Sequence, residues 1–475
     1  MILETILLAP VFALSGVSAE APCIRPTRAG TQVQGEVRVC PGRYRIADRG
    51  ERGVIIAAAS GTRIDLSGVV LESGDSVAGR YVGVGVLSRG VDGVTITGGA
   101  VRGYRYGIRI EGGRGHRVSG VDLSGSRNQE VRSTPARPDS ADRLDIIRRE
   151  VFEQYGGGIL LVRTAGASIT GITARAAQNG IGLLEVRDSY VAHNDVSSNS
   201  GWGIHLWRSA GNVVARNRAD HTRRCESQVP AADCGAAALL LREASDSNTF
   251  VENDLTASSL GFVLAGARPQ LRQSVGNLIH RNNASAALRV AFTAAYGWNN
   301  TFLENRADSS GIGFRLDHSG GSALRGNTVI GSRSAGIVSE HGGDNAVLAN
   351  VVIGGPVGIR VSAPQVTGDP SRRYRIDDNV LARLEQGIVL ERTTRAQLRG
   401  NLFDGVVDGL VLDGAGHATE VTGNIFLRAS RWFIEAPDLA AGGNYWATAD
   451  ASSAAAKVKG RISLQPWKPA TAAGY

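Results

Sequence analysis

The chain has 475 residues, with 62 Gly, 5% aromatics, a single Met and a formal net charge of +8. That length would hold two or three ordinary domains, yet Gly-rich, Val/Ile-rich and Asn-punctuated segments recur along almost all of it, the composition of many short strands joined by tight turns. Long amphipathic helices and polar linkers are excluded, and one elongated all-β unit is expected.

In chain order, Met1 to Ala19 is an apolar stretch ending in Val17-Ser18-Ala19, a small-residue cleavage site. It reads as a signal peptide, although Glu4 and the lack of Lys or Arg depart from the usual basic start; a buried first strand is the alternative. The run is too short for a membrane span, and no other segment approaches the roughly 20 apolar residues required. Residues 20–60 are expected to form an N-terminal cap, 61–446 the body and 447–475 a tail. The four cysteines fall into two local pairs, Cys23 with Cys40 and Cys225 with Cys234, which suits two disulfides in an oxidising compartment, periplasmic or extracellular. Their spacings match no zinc motif. A basic exported protein can meet acidic polysaccharide, anionic cell-surface polymer or nucleic acid. Nucleic acid is set aside, because no basic cluster interleaved with aromatics is present.

From Ile64 onward, apolar residues opening a Gly-Ile-x-Leu-like strand recur at Val86, Ile108, Ile159, Ile181, Ile204, Leu239, Phe262, Leu288, Phe314, Ile337, Ile359, Ile388, Leu410 and Phe433. The basal period is 22 to 23 residues, lengthened where loops are inserted. A second series runs in phase with it: Asn194, Asn217, Asn253, Asn282, Asn305, Asn327, Asn350, Asn379, Asn401 and Asn424. Strands this short cannot bury an apolar face alone, so they stack on their own copies at about 4.8 Å. The Asn series reads as a structural ladder, with Asn suited to left-handed turns and its amide bonding the next Asn.

The pattern of Gly158-Ile159-Leu160-Leu161, Gly203-Ile204-His205-Leu206, Gly336-Ile337-Val338 and Gly387-Ile388-Val389-Leu390, with the Asn-terminated segments between them, resembles the right-handed parallel β-helix repeat proteins of the pectate-lyase-like superfamily, in particular the carbohydrate-binding and sugar-hydrolase branch. The resemblance covers about Gly53 to Tyr445. It implies the handedness, a single solenoid domain and a polysaccharide or oligosaccharide ligand, and it is nearly silent about the reaction. Asp-Pro-His-Asp, Asn-Thr-Asp and Gly-His-Gly, which mark particular enzymes of that superfamily, are absent; Gly115-His116 alone is too little. No cofactor is identified, and Ca²⁺ is a candidate without a motif, since no clustered Asp set is present.

Three departures from the repeat mark loops that can build a site: about 126–155, 220–235 with Cys225 and Cys234, and 363–374. With Ile204 and Leu206 inward, the outward pairs are His205/Trp207, Leu240/Arg242, Val263/Ala265, Arg289/Ala291, Arg315/Asp317, Val338/Glu340, Arg360/Ser362 and Val389/Glu391. The residue after each strand includes Glu185, Arg208, Glu243, His318 and His341.

Asp317 is thereby expected beneath Glu340 and His318 beneath His341. Two carboxylates about 5 Å apart repel, which raises one pKa and makes an acid/base pair at a separation close to that of retaining glycosidases. Arg289 and Arg315, stacked, can hold a uronate, with Arg208, Arg242 and Glu185 as further contacts. Trp207 is a platform for a sugar face, and His205 beside it is a ligand or catalytic contact; packing beneath the second loop is the alternative for Trp207. His193 and His221 are weaker candidates. Two functions fit: a polysaccharide hydrolase, lyase or epimerase, or a non-catalytic polysaccharide-binding or periplasmic accessory protein. Copper handling would call for Met or Cys ligands that this chain lacks in free form.

Overall fold

Each repeat of about 22 residues turns once around a common axis in the computed structural model, which describes residues 23–469 apart from 135, 138, 146–148, 226–234, 267–271, 365–369, 414–418 and 449. The strands pair in parallel, coil on coil, as a right-handed parallel β-helix. A long face is made of six-residue strands such as Gly157–Val162, Asn179–Leu184, Trp202–Trp207, Ala237–Arg242 and Ile312–Asp317. A short face is made of three-residue strands such as Ser168–Thr170, Tyr190–Ala192 and Thr301–Leu303, sixteen deep among the described residues. On the third face Gly42–Arg45, Val69–Glu72 and Ala100–Arg102 pair as strands, single bridges follow until Thr328–Ile330, and 12-residue strands such as Val351–Ser362 and Val380–Glu391 then continue round the corner into the long face.

The core is the stack of inward positions, Ile159/Leu161, Ile181/Leu183, Ile204/Leu206 and onward, all fully buried. In mid-solenoid it becomes aromatic: Phe292 and Phe314 stack at 4.8 Å, with Phe302 from the short face edge-on to both. The Gly that precedes each inward Ile has a steric cause. A Cβ on Gly203 would lie 2.5 Å from the Ala238 carbonyl oxygen of the next coil.

The Asn series is a continuous ladder. The backbone N–H and Nδ2 of Asn305 donate to Oδ1 of Asn327 at 2.9 and 3.1 Å, and Asn327 repeats the pair toward Asn350 at 2.9 Å each. The left-handed conformation falls one residue earlier than the Asn, at Glu304 (φ 53°) or Arg281 (φ 54°), so the Asn itself turns its amide into the interior. Sequence reading missed a second ladder one corner away, Asn212, Asn248, Asn277 and Asn300, extended by Ser322 and Asn345.

Several expected boundaries move. Glu36–Val39 pairs with Arg63–Asp65, and Ile434–Ala440 with Val458–Ser463, so the coils begin inside the expected cap and run on through the expected tail. Ile64 belongs to the short face, opposite Ile96. Phe433 is displaced by one place, since Ile434 lies opposite Leu410 across an irregular register. Leu288 is not an inward strand position: Phe292 lies between Phe262 and Phe314. The run Leu288, Val290, Phe292 alternates at period two, so hydrophobicity alone could not choose among them. The distinguishing signal is small-then-aromatic, Gly261-Phe262, Ala291-Phe292 and Gly313-Phe314. Cys23 and Cys40 form a disulfide, and Cys225 is disulfide-bonded. The expected signal peptide at 1–19 and Cys234 lie outside the described residues, as does part of the loop at 363–374.

Candidate functional site

The loop at 126–155 decides which outward residues meet solvent. Its short helix Val151–Gln154 lies across the long face, where Phe152 stacks on His205 at 4.5 Å with an interplanar angle of 11°. Gly182 makes this possible, because a Cβ there would stand 3.2 Å from the Phe152 ring. Phe152, Leu144 and Tyr155 thus form a second apolar core with Leu160, Leu184, Trp202, Trp207, Leu240 and Val263.

Polar ties hold the loop down. The Tyr106 hydroxyl donates to the Phe152 carbonyl at 2.6 Å, Arg109 grips Glu153 with two bonds at 3.1 and 2.9 Å, and Arg224 donates through Nε to the Asp142 carbonyl at 2.6 Å. Arg224 belongs to the cysteine-bearing loop, so the two insertions brace each other.

His205 and Trp207 are therefore outward from the coil yet buried, each 2% exposed. The expected platform is covered: Trp207 packs edge-on to Phe152, beneath the first insertion. Burial pushes the His205 imidazole down to about 3, helped by the Arg242 cation, so it is neutral at ordinary pH and out of reach of a ligand. Arg208 is engaged by Glu243 at 2.8 Å, and Glu185 faces Arg149 at 3.9 Å, both at the corner after the strand. Arg289 is exposed in the turn before Val290–Ala295, and Thr293 takes the place beneath Arg315, so the expected Arg289–Arg315 stack does not form. Ala291, expected outward with it, is fully buried in the core.

Beyond the loop the long face opens, and here the expected register holds: Asp317 lies opposite Glu340, and Arg315 opposite Val338. Each carboxylate meets its own partner. Arg315 Nη2 binds Glu340 at 2.6 Å, and His318 Nδ1 bonds Asp317 Oδ1 at 2.6 Å. The two acids are thus tied to a cation and an imidazole, and the Arg315 cation offsets the mutual repulsion expected of a carboxylate pair.

The corner after these strands carries three rings in left-handed backbone, Tyr296, His318 and His341. Tyr296 stacks on His318 at 4.7 Å, and His318 on His341 at 4.8 Å. His318 is the middle ring of the column, its side chain 40% exposed. Sequence reading missed Tyr296, because the slip at Leu288 hid its place one coil below His318.

Tyr296 is also the rim of a cavity of about 700 Å³ between the loop and the long face, lined by Arg143, Asp145, Leu240, Arg242, Val263 and Ala295 among others. The Arg242 side chain is 1% exposed, its guanidinium 5.8 Å from the Trp207 ring. Burial lowers it to about 10, with Glu243 and Asp145 opposing, so it remains a cation at neutral pH.

A family model described as "Periplasmic copper-binding protein (NosD)" matches residues 60–266 and 259–454. The comparison with curated proteins finds no match. Among solved structures, the chain is similar to the A-module of the mannuronan C-5 epimerase AlgE4 of Azotobacter vinelandii, with 15% identity, 82% of this chain and 91% of that one covered, and a TM-score of 0.40. It is similar as well to the periplasmic alginate epimerase AlgG, with 15% identity, 76% of each chain covered and a TM-score of 0.36. The surface protein and adhesin PfbA of Streptococcus pneumoniae matches at 12% identity, 86% and 91% coverage and a TM-score of 0.42. At these identities the likeness is one of fold alone.

Proposed function

We propose that this protein, which belongs to the family of the periplasmic copper-binding protein (NosD), binds an acidic polysaccharide along the open part of its long face and transfers a proton there through His318. The observation that carries the reading is the Asp317–His318 pair at 2.6 Å inside the Tyr296–His318–His341 column, at the mouth of a groove. Asp317 accepting the Nδ1 proton leaves the lone pair on Nε2, the arrangement of an oriented general base. The carbon beside a uronate carboxylate is the acidic site of such a sugar. Nε2 takes that proton, and the electron pair passes into the carboxylate, whose charge the Arg315 guanidinium, paired through Nη2 with Glu340, balances through its remaining donors. From that species the bond to the neighbouring glycosidic oxygen breaks, with a proton supplied to the leaving oxygen, or the carbon is reprotonated from its other side. Tyr296 and His341 flank the base as candidate acids.

Hydrolysis by Asp317 and Glu340 is less well supported, since Arg315 and His318 occupy those two carboxylates. Copper, which the family description names, finds a poor donor set: among the described residues no three His, Cys, Asp or Glu side chains are grouped to hold a metal, and the described cysteines are disulfide-bonded.

The test is incubation with neutral and uronate polysaccharides, following binding, reducing ends, the ultraviolet absorbance of unsaturated uronates and epimer content by NMR. Uronate polymers alone should be turned over, and Asp317→Asn or His318→Gln should slow turnover by about 10²-fold or more while binding persists. Turnover unaffected by both variants, or no binding to any polymer, would defeat the reading.

A further inference from the structure

We propose that the cavity beneath the 126–155 loop is a receptor for the carboxylate of a terminal acidic sugar, with Arg242 as its anion-binding group; this rests on the groove reading above and names the ligand class and the end of the chain that enters. Arg242 donates through Nη1 to the Ala265 carbonyl, while its Nε and Nη2 have no hydrogen-bond partner among the described residues. A buried cation with unmet donors is costly, and proteins satisfy such groups almost without exception. The two unmet donors lie on one edge of the guanidinium, the edge that matches both oxygens of a carboxylate in parallel bonds. Trp207 covers the guanidinium face, and Leu240 and Val263 offer apolar wall of the kind a sugar ring packs against. A volume of about 700 Å³ lies in the usual range for small-molecule sites.

The terminal character follows from what lies on either side. Toward the N-terminal coils the outward face is occupied, since Phe152 sits on His205 and against Trp207. Toward the C-terminal coils Ala295, Tyr296, Asp317 and Glu340 are part-exposed. A chain lying along the groove therefore stops at Arg242. The register Arg242, Ala265, Ala295, Asp317 puts three strand spacings, about 14 Å, between the receptor and the His318 pair, so the terminal residue would set which sugar reaches the base.

The experiment is titration calorimetry of the full protein with trimers of galacturonate and of mannuronate, their methyl esters, the free monouronates and the intact polymers. The acid trimers should bind with one protein per chain end. Methyl esterification or Arg242→Gln should weaken binding by about tenfold or more, with partial recovery in Arg242→Lys. Ala295→Trp, which fills the mouth without touching the charge, should give a similar loss, so the test survives if an Arg242 variant fails to fold. Equal binding of acid and ester, unchanged binding in Arg242→Gln, no binding at all, or many proteins along one long chain would each overturn the inference. Acid and ester trimers bound alike, with turnover still lost in Asp317→Asn, would remove this receptor and leave the groove reading standing. Monouronate binding that depends on Arg242, with polymers ignored, would do the reverse.

Discussion

Replacing Asn327 by Ala removes one rung of the ladder, and its cost can be worked from the bonds it breaks. Asn327 is fully buried; its Oδ1 accepts from the N–H and Nδ2 of Asn305, and its Nδ2 donates to the Phe302 carbonyl at 3.0 Å and to Asn350 Oδ1 at 2.9 Å. Some partners are covered elsewhere. Asn305 Nδ2 still reaches the Ile279 carbonyl at 2.8 Å, and Asn350 Oδ1 still accepts the backbone N–H of residue 327. The Asn305 N–H is left without a partner, and the Phe302 carbonyl, paired in its strand opposite Leu324, loses its second bond, so at about 1–3 kcal/mol for the first and about 1 kcal/mol for the second the loss should be about 3 kcal/mol. Asn327→Ser should cost less, because Ser322 already serves as a rung in the second ladder, its Oγ accepting the Asn300 N–H at 3.2 Å. Urea unfolding followed by far-ultraviolet circular dichroism measures the difference. Since each coil touches only its neighbours, the Ala variant can also split the transition in two at the break. A loss below about 0.5 kcal/mol for Ala, or a Ser variant as damaged as Ala, would refute the ladder as a source of stability.

Acid should act through His205. Its folded pKa of about 3 lies below the ordinary value of 6.5, so the unfolded chain binds the extra proton first and stability falls as pH drops from 6.5 toward 3. At about pH 4.5 this one group should cost about 3 kcal/mol, and comparing the pH slopes of wild type and His205→Phe in urea isolates it; parallel slopes would show that the imidazole is not held neutral by burial. Phe152→Ala should uncover the same pocket: stability falls by about 3 kcal/mol, Trp emission shifts to longer wavelength and the acid sensitivity of His205 diminishes. An unshifted emission spectrum would mean that the loop does not rest on Trp207.

The solenoid was legible in the residues alone: its period, most of its inward Ile and Leu positions and its Asn ladder. Coil after coil answers the same local demand, a small residue before an inward apolar one and, from Asn194 on, an amide at the corner, and repetition turns a weak signal into a strong one. Where the repeat was ambiguous, at Leu288, Val290 and Phe292, a single slip displaced Arg289 and concealed Tyr296. Stacking register also placed Asp317 by Glu340 and His318 by His341, because in a parallel ladder that relation is one-dimensional. What those residues meet depends on the folded chain. Arg315 reaches Glu340 and His318 turns to Asp317 through side-chain conformations that no spacing encodes. His205 and Trp207 point outward as the alternation requires, yet Phe152, more than 50 positions earlier in the chain, folds back over them. Whether an outward residue is a surface or a second core depends on where an inserted loop comes to rest, and that is set by contacts such as Arg109 with Glu153, outside any repeat.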